Sequence, residues 1–130
     1  MANVNIELTL HGGEVEGAQR RYDPGSTVQG WVRLTPNGDV DSDRAVVRLE
    51  WHTEGRGDRD QGRADEVELA RGPLSGPLVQ SFTLTLPHLP WSYAGHYINI
   101  IWRVLVVVDI RFARDIRLEQ PIAVAPRRAG

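Results

Sequence analysis

The feature that most constrains the fold is a strictly alternating stretch in the last third of the chain. Seven apolar residues occupy every second position there: Ile98, Ile100, Trp102, Val104, Val106, Val108 and Ile110. Successive side chains of a β-strand point to opposite faces of a sheet, so this spacing predicts one unusually long strand with an apolar face. No segment shows the 3.6-residue period of an amphipathic helix.

Six further segments alternate in the same way, at residues 4–10, 28–34, 47–51, 67–69, 82–86 and 116–124. Turn-forming sequences such as Asp23-Pro-Gly-Ser and Pro36-Asn-Gly-Asp separate several of them. A sheet with one apolar face needs a second sheet to cover it. The sequence therefore predicts an all-β protein, an immunoglobulin-like antiparallel β-sandwich of about seven strands.

Length and composition limit the organisation and the compartment. The 130 residues suffice for one domain, predicted over residues 1–124 and followed by a flexible tail at 125–130. The absence of cysteine excludes a disulfide scaffold, a thiol nucleophile and a cysteine zinc site. No signal-peptide pattern is present, and the longest apolar run, at 104–108, is too short to span a bilayer. We therefore expect a cytoplasmic protein without a membrane span.

The charge pattern argues against nucleic acid as a partner. The formal net charge is −2, and all 15 basic residues are arginine. They alternate with acidic residues along the chain and form no basic patch, so the electrostatic signature of nucleic-acid binding is missing.

Four motifs follow one another at characteristic spacing. They are Tyr22-Asp-Pro-Gly-Ser-Thr-Val-Gln-Gly-Trp-Val32, Phe82-Thr-Leu-Thr-Leu-Pro87, Pro90-Trp-Ser-Tyr-Ala-Gly95 and Ile100-Ile-Trp-Arg-Val104. Together they resemble the amino-terminal domain of the arrestin-like family over residues 4–124. Bacterial sporulation-control proteins and the retromer arrestin-like subunit are similar in scaffold. The resemblance implies an arrestin-type sandwich that serves as a non-catalytic scaffold or adaptor.

The motif residues have structural explanations. Pro24 presets φ and Gly25 tolerates a positive φ, which suits a tight turn into the second strand. Pro87 and Pro90 lack backbone donors, so they end a strand and stiffen the crossover that follows. Gly95 gives the backbone freedom at the start of the long strand. Arrestins proper have two domains, a docked helix and a buried charged core that senses phosphates. This chain shows none of the three patterns, and we do not expect phosphate sensing.

Metal binding has one weak candidate. The segment Asp39-Val-Asp-Ser-Asp43 opens like a calcium-binding loop, and Glu50 falls at the twelfth position. However, Arg44 stands where the loop needs glycine, and the segment from Ala45 onward is predicted as strand. A solvated turn is the preferred interpretation, with a weak cation contact at Asn37, Asp39 and Asp41 left open.

Catalysis has no convincing candidate. The four histidines have no metal-ligand spacing: His11, His52, His88 and His96. Ser92 lies between two of them but has no strand–elbow–helix context. We therefore predict no enzymatic activity, no metal and no cofactor.

The strongest functional signal is a set of apolar residues on the outward side of predicted strands. If the even positions of the long strand point inward, Ile101, Leu105 and Val107 point outward, and Trp31 lies on the outer face of its own strand. An exposed apolar face indicates an interface; cover by the chain's own tail or loops is the alternative. Trp91 and Tyr93 form a second candidate, since aromatic side chains anchor many interfaces.

The predicted function is accordingly protein–protein interaction, with an unidentified protein partner. Self-association through an edge strand is a further prediction. The alternatives are a carbohydrate- or small-ligand-binding sandwich, using Trp31, Trp91 and Tyr93, and a structural homo-oligomer. The glycine-rich segment 53–63 is predicted as a mobile hairpin tip, and its Arg56-Gly-Asp58 tripeptide as a coincidental match to an adhesion motif.

Overall fold

A computed structural model describes residues 3–57, 59–95 and 98–127, and these residues are all strand, turn or irregular chain without helix. The ten strands are β1 (Val4–His11), β2 (Glu14–Glu16), β3 (Gln19–Tyr22), β4 (Thr27–Pro36), β5 (Ser42–Gly55), β6 (Gln61–Arg71), β7 (Leu78–Thr85), β8 (Tyr93–Ala94), β9 (Ile98–Ile110) and β10 (Ile116–Val124). The all-β prediction is confirmed. Seven strands correspond to the predicted segments, whereas the short strands β2, β3 and β8 were not predicted.

The strands form two sheets that pack face to face. The small sheet has the order β1-β4-β7, and the large sheet has the order β2-β3-β10-β9-β5-β6 with β8 paired to β9. Most neighbours are antiparallel, as predicted. The exception is the pair β3 and β10, which run parallel where Arg21 lies beside Ala123.

The core lies between the sheets and contains the inward side of the long strand. Trp102, Val104, Val106 and Val108 are completely buried there. Val28, Val32 and Leu34 reach the same core from β4 in the small sheet. Burial of this apolar area is the main stabilising term for a sandwich of this size.

Two details of the alternation differ from expectation. Ile98, at the start of the predicted seven-residue apolar face, is 42% exposed, and Leu118 of β10 is 36% exposed. Segment 53–63 lies at the tip of the hairpin of β5 and β6, as predicted, but strand extends into both of its ends. β5 continues to Gly55 and β6 begins at Gln61, while the Thr53 amide donates to the Asp60 carbonyl at 2.8 Å. Asp58 of the tripeptide lies outside the described residues.

The predicted flexible tail begins with ordered contacts. The Ala125 amide donates to the Tyr22 carbonyl at 3.2 Å, and the Arg21 guanidinium donates to the Ala125 carbonyl at 2.6 Å. Arg127 lies 3.6 Å from a carboxylate oxygen of Glu14. These contacts join residues 125 and 127 to the amino-terminal strands; the flexibility of the tail stays a prediction, and residues 128–130 lie outside the described part of the chain.

A search of the described residues finds no helix long and apolar enough to cross a membrane.

Candidate functional site

The outer face of the large sheet was the first predicted interaction surface. Leu105 and Val107 point to this face, but only 2% and 4% of their respective surfaces are exposed. They pack with Val46 in a second apolar cluster, separate from the main core. Ile101 is half-buried. Of the two alternatives that the sequence leaves open, exposure and cover by the chain itself, the structure shows cover for Leu105 and Val107.

Neighbouring strands explain why these side chains are covered. The register places Arg48 of β5 and Glu119 of β10 on either side of Leu105, and Arg117 beside Val107. Arg103, two residues along β9, lines the same groove as Leu105, Arg48 and Arg117. The aliphatic stems of long charged side chains cover apolar surface while the charges stay in water. We infer that arginine side chains cover the cluster, rather than the tail or loops that the sequence leaves as an alternative.

The charged groups of this face form a continuous ion-pair layer. Its members are Arg48, Glu50, Arg63, Glu66, Arg103 and Glu119. Arg103 reaches Glu50 at 3.1 Å, and Arg48 donates to Glu66 at 2.6 Å. The hydrogen bond from Arg48 lowers the pKa of Glu66 below its ordinary value. Because charges of both signs alternate, the layer is not a patch of one sign that would attract an oppositely charged ligand.

Trp31 does not share a surface with these residues. It lies on the outer face of the small sheet, opposite Thr9 of β1 and Ser81 of β7. The Arg33 guanidinium stands 5.9 Å from the centre of its ring, within the range of a cation–π contact. The predicted face of Trp31, Ile101, Leu105 and Val107 is thus divided between the two outer sides of the sandwich.

The second predicted surface is the turn between β7 and β8, which exposes a group of apolar side chains. We refer to residues 88–94 as the apolar turn. Three of its side chains are exposed: Leu89 by 71%, Trp91 by 47% and Tyr93 by 59%. A partner that covers exposed apolar side chains removes apolar surface from water, so such a group favours an interface.

Hydrogen bonds hold the apolar turn in one conformation. The Trp102 indole donates to the Pro90 carbonyl at 2.9 Å, and the Trp91 indole donates to the His88 carbonyl at 2.9 Å. Two hydrogen bonds join Ser92 to the end of β10: its amide donates to the Val124 carbonyl, and its hydroxyl accepts from the Val124 amide. The Leu89–Pro90 peptide bond is cis. A surface held by such hydrogen bonds costs little conformational entropy when it binds.

The turn at Pro24 and Gly25 supports the apolar turn from the other side. The Gly25 amide donates to the Pro87 carbonyl at 3.0 Å, and Gly25 has a φ of 78°. A side-chain carbon at this position would lie 2.4 Å from the His88 ring. Glycine is therefore required both by the backbone and by the packing of the two turns.

Gly95 ends the apolar turn at a point where its backbone lies close to the Tyr93 ring. Its amide bonds the Ile98 carbonyl at 3.0 Å, and a side-chain carbon here would lie 2.3 Å from the Tyr93 ring. Gly25 thus has the positive φ predicted for it, whereas Gly95 has none and is constrained by close approach rather than by backbone freedom. His96 and Tyr97 lie outside the described residues.

Two shallow grooves flank the apolar turn. One, of about 480 Å³, contains Leu89 and Trp91 beside Pro24, His88 and Pro126. The other, of about 410 Å³, contains Tyr93 with Ile101 and Ile122. Ile101 and Tyr93, which were predicted for different surfaces, therefore lie together, whereas Trp91 and Tyr93 face different grooves.

Several of the remaining candidates make structural contacts. In the aspartate-rich segment, Val40 forms a β-bridge with the distant Leu74. Asp43 forms an ion pair with Arg111 at 3.3 Å. Among the described residues, no group of three or more histidine and acidic side chains is arranged to hold a metal ion. Ser92 is engaged with Val124, as described above, so its hydroxyl acts as a structural link.

The two packed sheets, the crossover after β7 and the long strand β9 define the class of this protein: it has the arrestin-type β-sandwich fold predicted from the motifs. Among solved structures it is similar to the sporulation control protein Spo0M from Bacillus subtilis, with a TM-score of 0.67 and 20% sequence identity. The similarity covers 97% of this chain and 50% of that one, so this chain spans half the length of the protein that it matches. No protein-family model and no curated protein matches the sequence.

Two features of these surfaces were not predicted from sequence. Leu89 is more exposed than Trp91 and Tyr93, and its position between Pro87 and Pro90, where no strand can form, could have indicated it. The ion-pair layer was missed because its partners are distant in sequence: Arg103 and Glu50 are 53 residues apart.

Proposed function

We propose that the protein is a non-catalytic interaction module of the arrestin-like type, an adaptor or scaffold that binds its protein partner through the apolar turn. The observation that carries the proposal is the exposure of Leu89, Trp91 and Tyr93 on a turn whose backbone is fixed by hydrogen bonds to β9 and β10. Rigid aromatic and aliphatic anchors of this kind supply much of the binding energy in protein interfaces. The role is proposed for the cytoplasm, the compartment predicted from sequence.

A sugar-binding role has less support. A carbohydrate platform needs several aromatic rings in one plane, but the grooves of Trp91 and Tyr93 share no lining residue, and Trp31 lines neither of them. The arrestin-type fold also favours a scaffold, because arrestin-like proteins are generally not enzymes.

The test is affinity capture from a lysate of the source organism, followed by mass spectrometry. The double variant Leu89→Asp with Trp91→Ala changes the apolar turn, and both side chains are exposed, so the domain should stay folded. The control carries Val15→Asp with Phe112→Asp, which removes two exposed apolar side chains elsewhere, 67% and 100% exposed respectively. We expect a partner retained by wild type and control and lost by the turn variant. A partner retained equally by all three would rule out the apolar turn as its binding surface.

A further inference from the structure

The four edge strands differ sharply in how they are protected from pairing. β6 has five charged residues and two register irregularities, β2 has only three residues, and β1 includes Glu7. β7 reads Leu-Val-Gln-Ser-Phe-Thr-Leu-Thr over 78–85, with no charge, no proline and an unbroken register with β4. Natural edge strands are normally blunted by charge, proline, bulges or short length. β7 has none of these devices.

Two hydrogen bonds show which backbone groups of β7 face the open edge. The Leu86 amide donates to the Ser26 carbonyl, on the β4 side. The Thr85 amide instead donates to the Asp65 carboxylate at 2.8 Å, away from β4. Backbone groups of a strand alternate in direction, so the amide and carbonyl groups of Val79, Ser81 and Thr83 point to the open edge. No other described segment forms a backbone hydrogen bond with these three residues.

We propose that β7 pairs antiparallel with β7 of a second copy of this chain, around a two-fold axis at Ser81. Inner side chains must stay opposite inner side chains, so the pairing cannot shift by a single residue. With Ser81 opposite Ser81, Val79 meets Thr83 and the pair forms about six hydrogen bonds from the outward-facing groups. The next allowed register would place Val79 opposite Thr85, whose amide is already bonded to Asp65. The two small sheets would join into one sheet of six strands.

The charge distribution favours a second copy as the occupant. A strand without charge meets no repulsion when it faces itself, and each copy fills the unpaired edge of the other. On the outer face, Arg33 lies beside Val79 and Gln29 lies beside Thr83. In the proposed register, Arg33 and Val79 of one copy therefore lie in line with Thr83 and Gln29 of the second copy. No like charges meet along this line. Trp31, beside Ser81, would be separated from its counterpart by the two β7 strands.

The absence of cysteine allows a direct test of this register. Ser81→Cys introduces a single thiol that would face its counterpart at about 5.5 Å between Cα atoms, within the range of a disulfide. Thr9→Cys is the matched control, because Thr9 lies in the same row on the opposite edge of the small sheet. Under mild oxidation we expect Ser81→Cys to form disulfide-linked dimers about tenfold faster than Thr9→Cys. Equal rates would overturn the proposal.

Sedimentation velocity over a range of protein concentrations provides the second measurement. We expect a concentration-dependent dimer for wild type and for Thr9→Lys, and a monomer for Ser81→Lys, since lysine on an edge opposes pairing. Thermal melting confirms that both variants are folded. A wild-type monomer throughout, or a dimer unaffected by Ser81→Lys, would contradict the proposal. Neither result bears on the apolar turn, because the proposed partner site there lies outside β7.

Discussion

Leu105 lies on the outer face of the large sheet, where its immediate neighbours are arginine and glutamate side chains. It is nevertheless 2% exposed, as buried as many core residues, and it packs with Val46 and Val107. The apolar cluster and the ion-pair layer therefore depend on each other. The layer excludes water from the cluster, and the cluster supports the arginine stems above it.

Truncation of Leu105 tests this interdependence. We expect Leu105→Ala to lower the free energy of unfolding by about 2 to 3 kcal/mol, because it removes buried apolar contacts and leaves a cavity. Leu89→Ala is the control, because Leu89 is 71% exposed and its truncation should change stability by less than about 0.5 kcal/mol. Urea denaturation of the two variants measures both values. Equal losses would mean that Leu105 is not shielded from water.

At the scale of the strands, Gly30 fixes the spacing of β1 and β4. A side-chain carbon at Gly30 would lie 2.1 Å from the Thr9 carbonyl oxygen and 3.0 Å from the Phe82 ring. A backbone atom cannot move aside as a flexible side chain can, so the sheet itself would have to open. We expect Gly30→Ala to cost about 1 to 3 kcal/mol of stability.

Gly76 offers the matched substitution. Nothing lies within 4 Å of a side-chain carbon added at Gly76. Gly76→Ala should therefore leave the unfolding midpoint almost unchanged, or raise it slightly by restricting the unfolded chain. A comparable loss in both variants would point to a general cost of alanine rather than to the contact between β1 and β4.

The strands also show what alternation can predict. The inward face of β9 was predictable because seven apolar residues repeat with period two, although the first of them, Ile98, is 42% exposed, and six other segments repeat well enough to identify a sandwich. β2 and β3 were not, since three or four mostly charged residues contain too little alternation to distinguish from a loop. The sequence could not decide between exposure and cover of Leu105 and Val107 for a different reason. Their cover depends on the lateral order of β10, β9, β5 and β6, which brings together residues far apart in sequence.

For the molecule as a whole, Arg21 links the amino-terminal hairpin to the end of the last strand. Its side chain is 7% exposed and lies 2.6 Å from Asp23, 3.4 Å from Glu14 and 3.5 Å from Glu16. It also donates to the Ala125 carbonyl, 104 residues away in the chain. The hydrogen bond to Asp23 raises the pKa of Arg21 further, so the guanidinium stays charged at any pH at which the domain folds.

Replacement of Arg21 should therefore loosen both ends of the chain together. Arg21→Met leaves three carboxylates close to one another and the Ala125 carbonyl without its donor, so the unfolding midpoint should fall. The amides of β2, β3 and the end of β10 should exchange faster with deuterium, ahead of those in β5 and β9. Arg20→Met is the control, because Arg20 is half-buried beside it and makes one hydrogen bond, to the Gly12 carbonyl at 3.0 Å. If exchange accelerates uniformly across the domain, Arg21 supports global stability without linking the two ends. If only β2 and β3 respond, its bond to Ala125 does not hold the last strand.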